Sequence, residues 1–211
     1  MAQVDHGLRR LLTRAGGYDL LQAMLGVENV RRSLAREYVS AKRGMRVLDI
    51  GCGTGGILAH LPGVDYLGFD MNPRYIEAAQ ARFESRGRFL CADVNSAPEV
   101  HGKFDRILAI GLLHHLEDSE AVALMALARS LLTPDGQVIT FDSCYRSCQS
   151  PFARFLIDRD RGRNTREEPE YLRLARTSFP FAESFIREDL LRVPYTHVIM
   201  RLATSTLQSP S

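Results

Sequence analysis

Hydrophobic positions change period along the chain. Residues 18–40, YDLLQAMLGVENVRRSLAREYVS, carry apolar side chains at helical spacing, with Gly26 as a break within them. From Arg46 the runs shorten. RVLDI, VDYLGFD, RFLCAD, FDRILAIG and QVITFD are brief apolar stretches, and each reads as a strand. Between them GILAHL opens a helix that Pro62 and Gly63 end. Asn72 as N-cap and Pro73 at the first helical position start another, RYIEAAQARFES, which stops near Gly87. Residues 118–132 form a third helix, capped by Asp118 or Ser119, and TPDG turns the chain into the fifth strand. Strands alternating with helices imply βαβ crossovers, and so a parallel sheet covered on both faces.

After Asp142 the alternation stops. Residues 143–180 are polar and rich in arginine, and predict two helical pieces near 151–158 and 167–177. Residues 181–187 and 195–202 read as two strands around a turn at 190–194, a hairpin that would close the sheet. The tail TSTLQSPS is small and polar and is expected to fray. The pattern divides the chain into a helical cap (1–43), a main domain (44–202) whose insert 143–180 serves as a substrate lid, and a flexible tail (203–211).

Composition narrows the class. A chain of 211 residues, 45% hydrophobic and 25% charged, has the make-up of a soluble globular domain. The net charge of +2 gives no argument for nucleic acid. The opening MAQVDHGLRRLL lacks the apolar core of a signal peptide, and no window is long and apolar enough to span a membrane, so a cytoplasmic location is expected. Cys52, Cys91, Cys144 and Cys148 show neither CxxC spacing nor paired histidines, which predicts reduced thiols and no metal site.

The chemistry concentrates where strands end. VLDIGCGTGG sets Gly51, Gly53 and Gly55 at GxGxG spacing, with Asp49 just before them. A dinucleotide loop is GxGxxG and cradles a pyrophosphate, which an acid at this place would repel. Asp49 suits an ammonium or a sulfonium instead. Asp70 ends the second strand, where a carboxylate accepts hydrogen bonds from a ribose diol. Asp93 ends the third, within reach of an adenine amino group. Three such groups with no phosphate clamp describe S-adenosylmethionine. By fold alone a nicotinamide oxidoreductase is the runner-up, disfavoured by the loop spacing and by Asp49.

These segments resemble the class I S-adenosylmethionine-dependent methyltransferases of small-molecule type. VLDIGCGTGG is similar to the family's first motif, GFDMNP to its ribose-binding acid and CADV to its adenine contact. FDRILAIGLLHHLED is similar to its fourth-strand motif and LLTPDGQVITFD to its fifth-strand segment. The likeness covers residues 44–142. It implies an α/β, Rossmann-like, doubly wound and mostly parallel seven-stranded sheet with the last strand antiparallel, N-terminal helices, and a helical insert after strand five. It also implies Gly51 and Gly53 against the methionyl end and Asp70 on the ribose, with Met71, Asp93 and Val94 around the adenine. Ile110 and Gly111 would line the cofactor, and S-adenosylhomocysteine would be the product.

A sulfonium is already electrophilic, so transfer needs in-line placement of the acceptor, and a base only for a weakly acidic one. His114 and His115, after strand four, and Tyr145, after strand five, are the candidates; a histidine in such a turn can equally pack or bond to backbone. The insert carries Arg154, Arg159, Arg161, Arg163, Arg166, Arg173 and Arg176. They fit an anionic small acceptor, or else local pairing with Asp158, Asp160, Glu167, Glu168 and Glu170 on a solvated surface. A small-molecule substrate leads. An RNA or protein methyltransferase and an inactive cofactor-binding module are the alternatives. The fourth motif lacks an Asn/Asp-Pro-Pro-Tyr sequence, which argues against nucleic-acid bases.

Overall fold

The structure, a computed structural model, describes residues 25–93, 102–159 and 162–206. Strand β1 (Arg46–Ile50) lies inside the sheet and is followed along the chain by β2 (Asp65–Asp70), β3 (Arg88–Cys91), β4 (Phe104–Ile110) and β5 (Leu132–Tyr145). A two-residue β6 (Arg166–Glu167) and the hairpin strands β7 (Phe181–Arg187) and β8 (His197–Ala203) complete the set. The sheet order is β3-β2-β1-β4-β5-β8-β7, with β6 pairing only with β5. β1 to β5 run parallel, and β8 is antiparallel to both β5 and β7. This is the expected sheet, with β6 as an addition.

The two faces of the sheet follow from its side-chain period of two. Leu48, Ile107, Ala109, Val138, Met200 and Leu202 join one buried cluster. Their neighbours Val47, Leu108, Ile139 and Ile199 join the other. Each Val, Leu, Ile or Met side chain among them contributes about 1.5–3 kcal/mol on burial, so a register slip of one residue in any central strand would disrupt both faces.

Helix α1 (Val27–Ser33) continues into a π-helical turn, Leu34–Val39, as the spacing of residues 18–40 predicts for its described part. Gly26 caps it at φ 81°. Helix α2 (Pro73–Phe83) buries Ile76, Ala79 and Phe83, and the Asn72 side chain accepts from the Arg74 amide at 3.1 Å as the expected N-cap. Helix α3 (Asp118–Leu131) begins where predicted, but its cap lies one residue before the earlier of the two predicted caps. Glu117 holds the N-cap and forms a capping box with Glu120, because Asp118 is occupied by arginines of the insert. Helices α4 (Pro151–Asp158) and α5 (Glu168–Arg176) match the two helical pieces of the insert.

Two expectations are corrected. GILAHL does not open an α-helix; Gly56–His60 is a five-residue 3-10 helix, since the chain must reach β2 only a few residues later. TPDG does not precede the fifth strand but is looped out within it. Leu132 already pairs with Phe104, and regular pairing resumes at Gln137 with Arg106.

Candidate functional site

The loop after β1 is built from three left-handed backbones. Gly51, Gly53 and Gly55 have φ of 72°, 54° and 68°, a region that side chains resist. A Cβ on Gly55 would also stand 2.7 Å from the Phe89 ring. The loop is tied to β2: the Gly53 amide donates to Asp70 Oδ2 at 3.0 Å, and the Asn72 amide donates to Asp70 Oδ1 at 2.8 Å. Asp70, half-buried, thus fixes the loop and retains acceptor capacity on both oxygens.

Asp49 is buried, and the Tyr66 hydroxyl donates to its Oδ2 at 2.5 Å. Its Oδ1 has no partner. Burial raises the Asp49 carboxyl to about 7, helped by the charge of Asp70 and opposed by the Tyr66 hydrogen bond. Asp49, Gly51, Cys52, Gly53, Gly56 and Ile110 line one cavity of about 220 Å³, together with Arg31, Ile57 and Tyr75. A partnerless buried carboxylate oxygen on a bare-backbone cavity fits a cationic group. Cys52 is inert here: burial, with Asp49 and Asp70 nearby, pushes its thiol far above the ordinary range.

The other expected residues lie around this cavity unevenly. Met71 is 73% exposed, and Asp93 is exposed at the end of β3. Val94 and Arg161 lie outside the described residues. Gly111, at φ 68°, donates its amide to the Phe141 carbonyl at 2.6 Å and so joins the ends of β4 and β5.

His114 forms a pair with Asp142 across those two strand ends. His114 Nδ1 lies 2.8 Å from Asp142 Oδ1, which also accepts from the His114 amide at 3.2 Å. Burial pushes the Asp142 carboxyl up against the pull of these contacts. The His115 ring stands 4.2 Å from that of His114. Gly162 of the insert covers the imidazole; a Cβ there would clash with the ring. Tyr145 donates its hydroxyl to Asp158 at 2.8 Å, and burial together with that contact raises its phenol. The His197 ring stacks on Phe141 at 4.4 Å and lies 4.8 Å from that of Tyr195.

The insert arginines pair differently from expectation. Arg166 is buried and donates to the carbonyls of Leu113, Leu116 and Asn164 and to Asp118, so it grips the turn that carries His114. Arg173 also takes Asp118, at 2.8 Å. Their acid comes from α3 and not from the insert itself. Glu167 and Glu170 instead form the capping box of α5.

Arg31, Tyr66 and Tyr75 escape the sequence reading. Arg31 comes from a helix remote from the glycine loop, and no local motif marks it. Tyr66 sits at an ordinary core position of β2; only the β1–β2 register, which pairs Val47 with Tyr66 and Asp49 with Gly68, brings its hydroxyl to Asp49. Among the described residues no helix is long and apolar enough to cross a membrane, and no cluster of three His, Cys, Asp or Glu could hold a metal.

Comparison with known proteins agrees with this geometry. Residues 47–136 match the model of a family described as a methyltransferase domain. The lovastatin nonaketide synthase of Monascus pilosus is 34% identical over 118 residues, covering 50% of this chain and 4% of that protein. The demethylmenaquinone methyltransferase of Thermus thermophilus is 32% identical over 134 residues, 59% of this chain and 60% of that protein. The chain thus spans only part of the length of either relative. A TehB-like S-adenosylmethionine-dependent methyltransferase of Corynebacterium glutamicum shares the fold with a TM-score of 0.63, at 20% identity over 93% of this chain and all of that one. The matched segment runs from β1 into the TPDG turn and holds the glycine loop, Asp70 and the His114 turn. Residues 47–136 thus match a methyltransferase domain in sequence, and the sheet throughout has the fold of S-adenosylmethionine-dependent methyltransferases.

Proposed function

We propose that the chain is an enzyme that moves a methyl group from S-adenosylmethionine to a small-molecule acceptor and releases S-adenosylhomocysteine. The observation that carries this reading is Asp49, a buried carboxylate with a partnerless oxygen on the glycine-loop cavity. When bound, the donor supplies an electrophilic methyl on a sulfonium. The chain's own residues then have to bind, orient and exclude water. Gly51, Gly53 and Gly55 offer bare backbone to the methionyl end, and Asp70 accepts from the ribose diol. Met71, Asp93 and Val94 border the adenine, and Ile110 and Gly111 form the wall on the β4 side.

His114 takes the acceptor's proton. Donation from its Nδ1 to Asp142 makes Nε2 the basic nitrogen. His115 stands beside it, and Tyr145 is the weaker candidate because its hydroxyl is already engaged. The cap 1–43 and the insert 143–180 shape the acceptor side. A small acceptor is supported by the name of the Thermus relative and by Arg166, which ties the insert tightly onto the His114 turn. Arg154 and Arg159, which ride on the rings of Tyr145 and Phe155, are the groups that would meet an anionic handle.

Titration calorimetry with S-adenosylhomocysteine and with a nicotinamide dinucleotide tests the donor. Heat is expected from the first alone, and heat from the second alone overturns the reading. Incubation with labelled donor, small hydroxyl or amine acceptors, RNA and protein tests the acceptor. Label confined to RNA or protein overturns the small-molecule assignment.

A further inference from the structure

Gly162, in the insert, is not among the glycines with a left-handed backbone. Turn geometry therefore does not require it. Space does. A Cβ on Gly162 would collide with Cδ2 of the His114 ring, and would stand 3.0 Å from its Cγ and 2.9 Å from the His114 carbonyl oxygen. Across the ring from Cδ2, Nδ1 meets Asp142 Oδ1 at 2.8 Å. A Cβ on Gly111 would stand 3.8 Å from Cε1. The imidazole is thus wedged between a carboxylate of β5 and the bare backbone of the insert. The insert is fastened in that place. The Asn164 amide donates to the His114 carbonyl at 3.0 Å. Arg166 donates to the carbonyls of Leu113 at 3.1 Å and Leu116 at 2.8 Å, which flank the two histidines. Residues 162–166 therefore lie along the turn 113–116 as a strap.

To leave Asp142 the ring must move toward the insert, and the Gly162 backbone stands in that path. The departure also costs on the other side. Asp142 is buried, and its Oδ2 has no hydrogen-bond partner among the described residues. A ring that swings away leaves that carboxyl with less than it has now. Which imidazole nitrogen holds the proton is set by the hydrogen bond that the other makes. We propose that Gly162 is a positioning residue for the base: its bare backbone holds the His114 imidazole on Asp142, so that the insert, fastened by Asn164 and Arg166, sets which nitrogen carries the proton. The base is then complete only while the insert is seated. This rests on the base assigned above and extends it to a residue of the insert.

Nitrogen-15 spectra of the imidazole at pH 8, where a histidine is ordinarily neutral, read the place of the proton directly. The His114 signals are identified by their absence from His114→Gln. In the unaltered chain Nδ1 is expected to carry the proton and Nε2 to be unprotonated. Gly162→Ala drives a methyl group between insert and ring. It is expected to lose that pattern and to show both tautomers. Its affinity for S-adenosylhomocysteine, measured by calorimetry, is expected to stay within about twofold, because Gly162 is not part of the glycine-loop cavity. Arg166→Lys adds no atom at the contact but gives up the fork that grips the turn, and is expected to show the same loss in smaller measure. Dispersed amide spectra show that a variant is folded. A merely structural glycine would lower the melting temperature and leave the imidazole pattern as in the parent. That pattern, kept in folded Gly162→Ala, overturns the proposal while the donor and base readings stand; should Gly162→Ala not fold, Arg166→Lys decides in the same way. Nε2 protonated in the unaltered chain overturns the base reading and the proposal with it.

Discussion

Asp49 sets stability against function within one side chain. Unfolded, its carboxyl ionises near 3.8, and in the fold near 7. Between these values the folded chain keeps a proton that the unfolded chain has released, so stability falls as pH rises through the window and the loss is complete above it. The gap corresponds to about 4 kcal/mol. Asp49→Asn removes the buried charge and retains an acceptor for Tyr66. The variant is expected to be more stable than the parent at pH 8 when ligand-free, and nearly equal to it at pH 4, while binding S-adenosylhomocysteine more weakly at pH 8. Scanning calorimetry at both pH values checks the first part; identical melting at pH 8 would contradict it. The acid before the glycine loop is legible in the sequence because the motif is local. The hydroxyl that meets it is not, because Tyr66 reaches it only through the pairing of two strands.

At the scale of elements, regular alternation made the strands readable and irregular connections made the errors. Residues 56–61 have the composition of a helix start, but the short path to β2 holds them to a 3-10 turn. The cap of α3 moved to Glu117 because Asp118 serves long-range arginines, a demand invisible in the local sequence. Arg166 is the firmest of these long-range links. Arg166→Ala would strip the guanidinium from the carbonyls of Leu113, Leu116 and Asn164, of which Leu113 keeps the Leu116 amide. The expected cost is about 2–4 kcal/mol, with faster hydrogen exchange around residues 113–118. Chemical denaturation with exchange mass spectrometry measures both; unchanged exchange there would show that the turn holds itself.

Across the whole molecule, the N-terminal helix is tied to the last hairpin. Arg187 donates to Glu37 at 2.8 Å and to Tyr38 at 2.9 Å, and it also binds Asp189. The Leu25 carbonyl accepts from the Arg192 amide at 3.1 Å. Arg187→Ala is expected to cost about 1–2 kcal/mol, since the site is partly exposed, and to lower the melting temperature by about 2–8 °C. A thermal scan decides it, and no shift would mean that the apolar contacts of Tyr38 and Phe185 suffice to hold the helix.

The brevity of the connection between β1 and β2 reaches furthest. Peptide dipoles sum to an attractive positive pole only along a helix of several turns. Five 3-10 residues after Gly55 build almost none. A diphosphate arriving at this rim would meet the Asp49 carboxylate and the Arg31 guanidinium, but no helix dipole. The missing turns therefore withhold from a pyrophosphate the pole on which a longer helix would seat it.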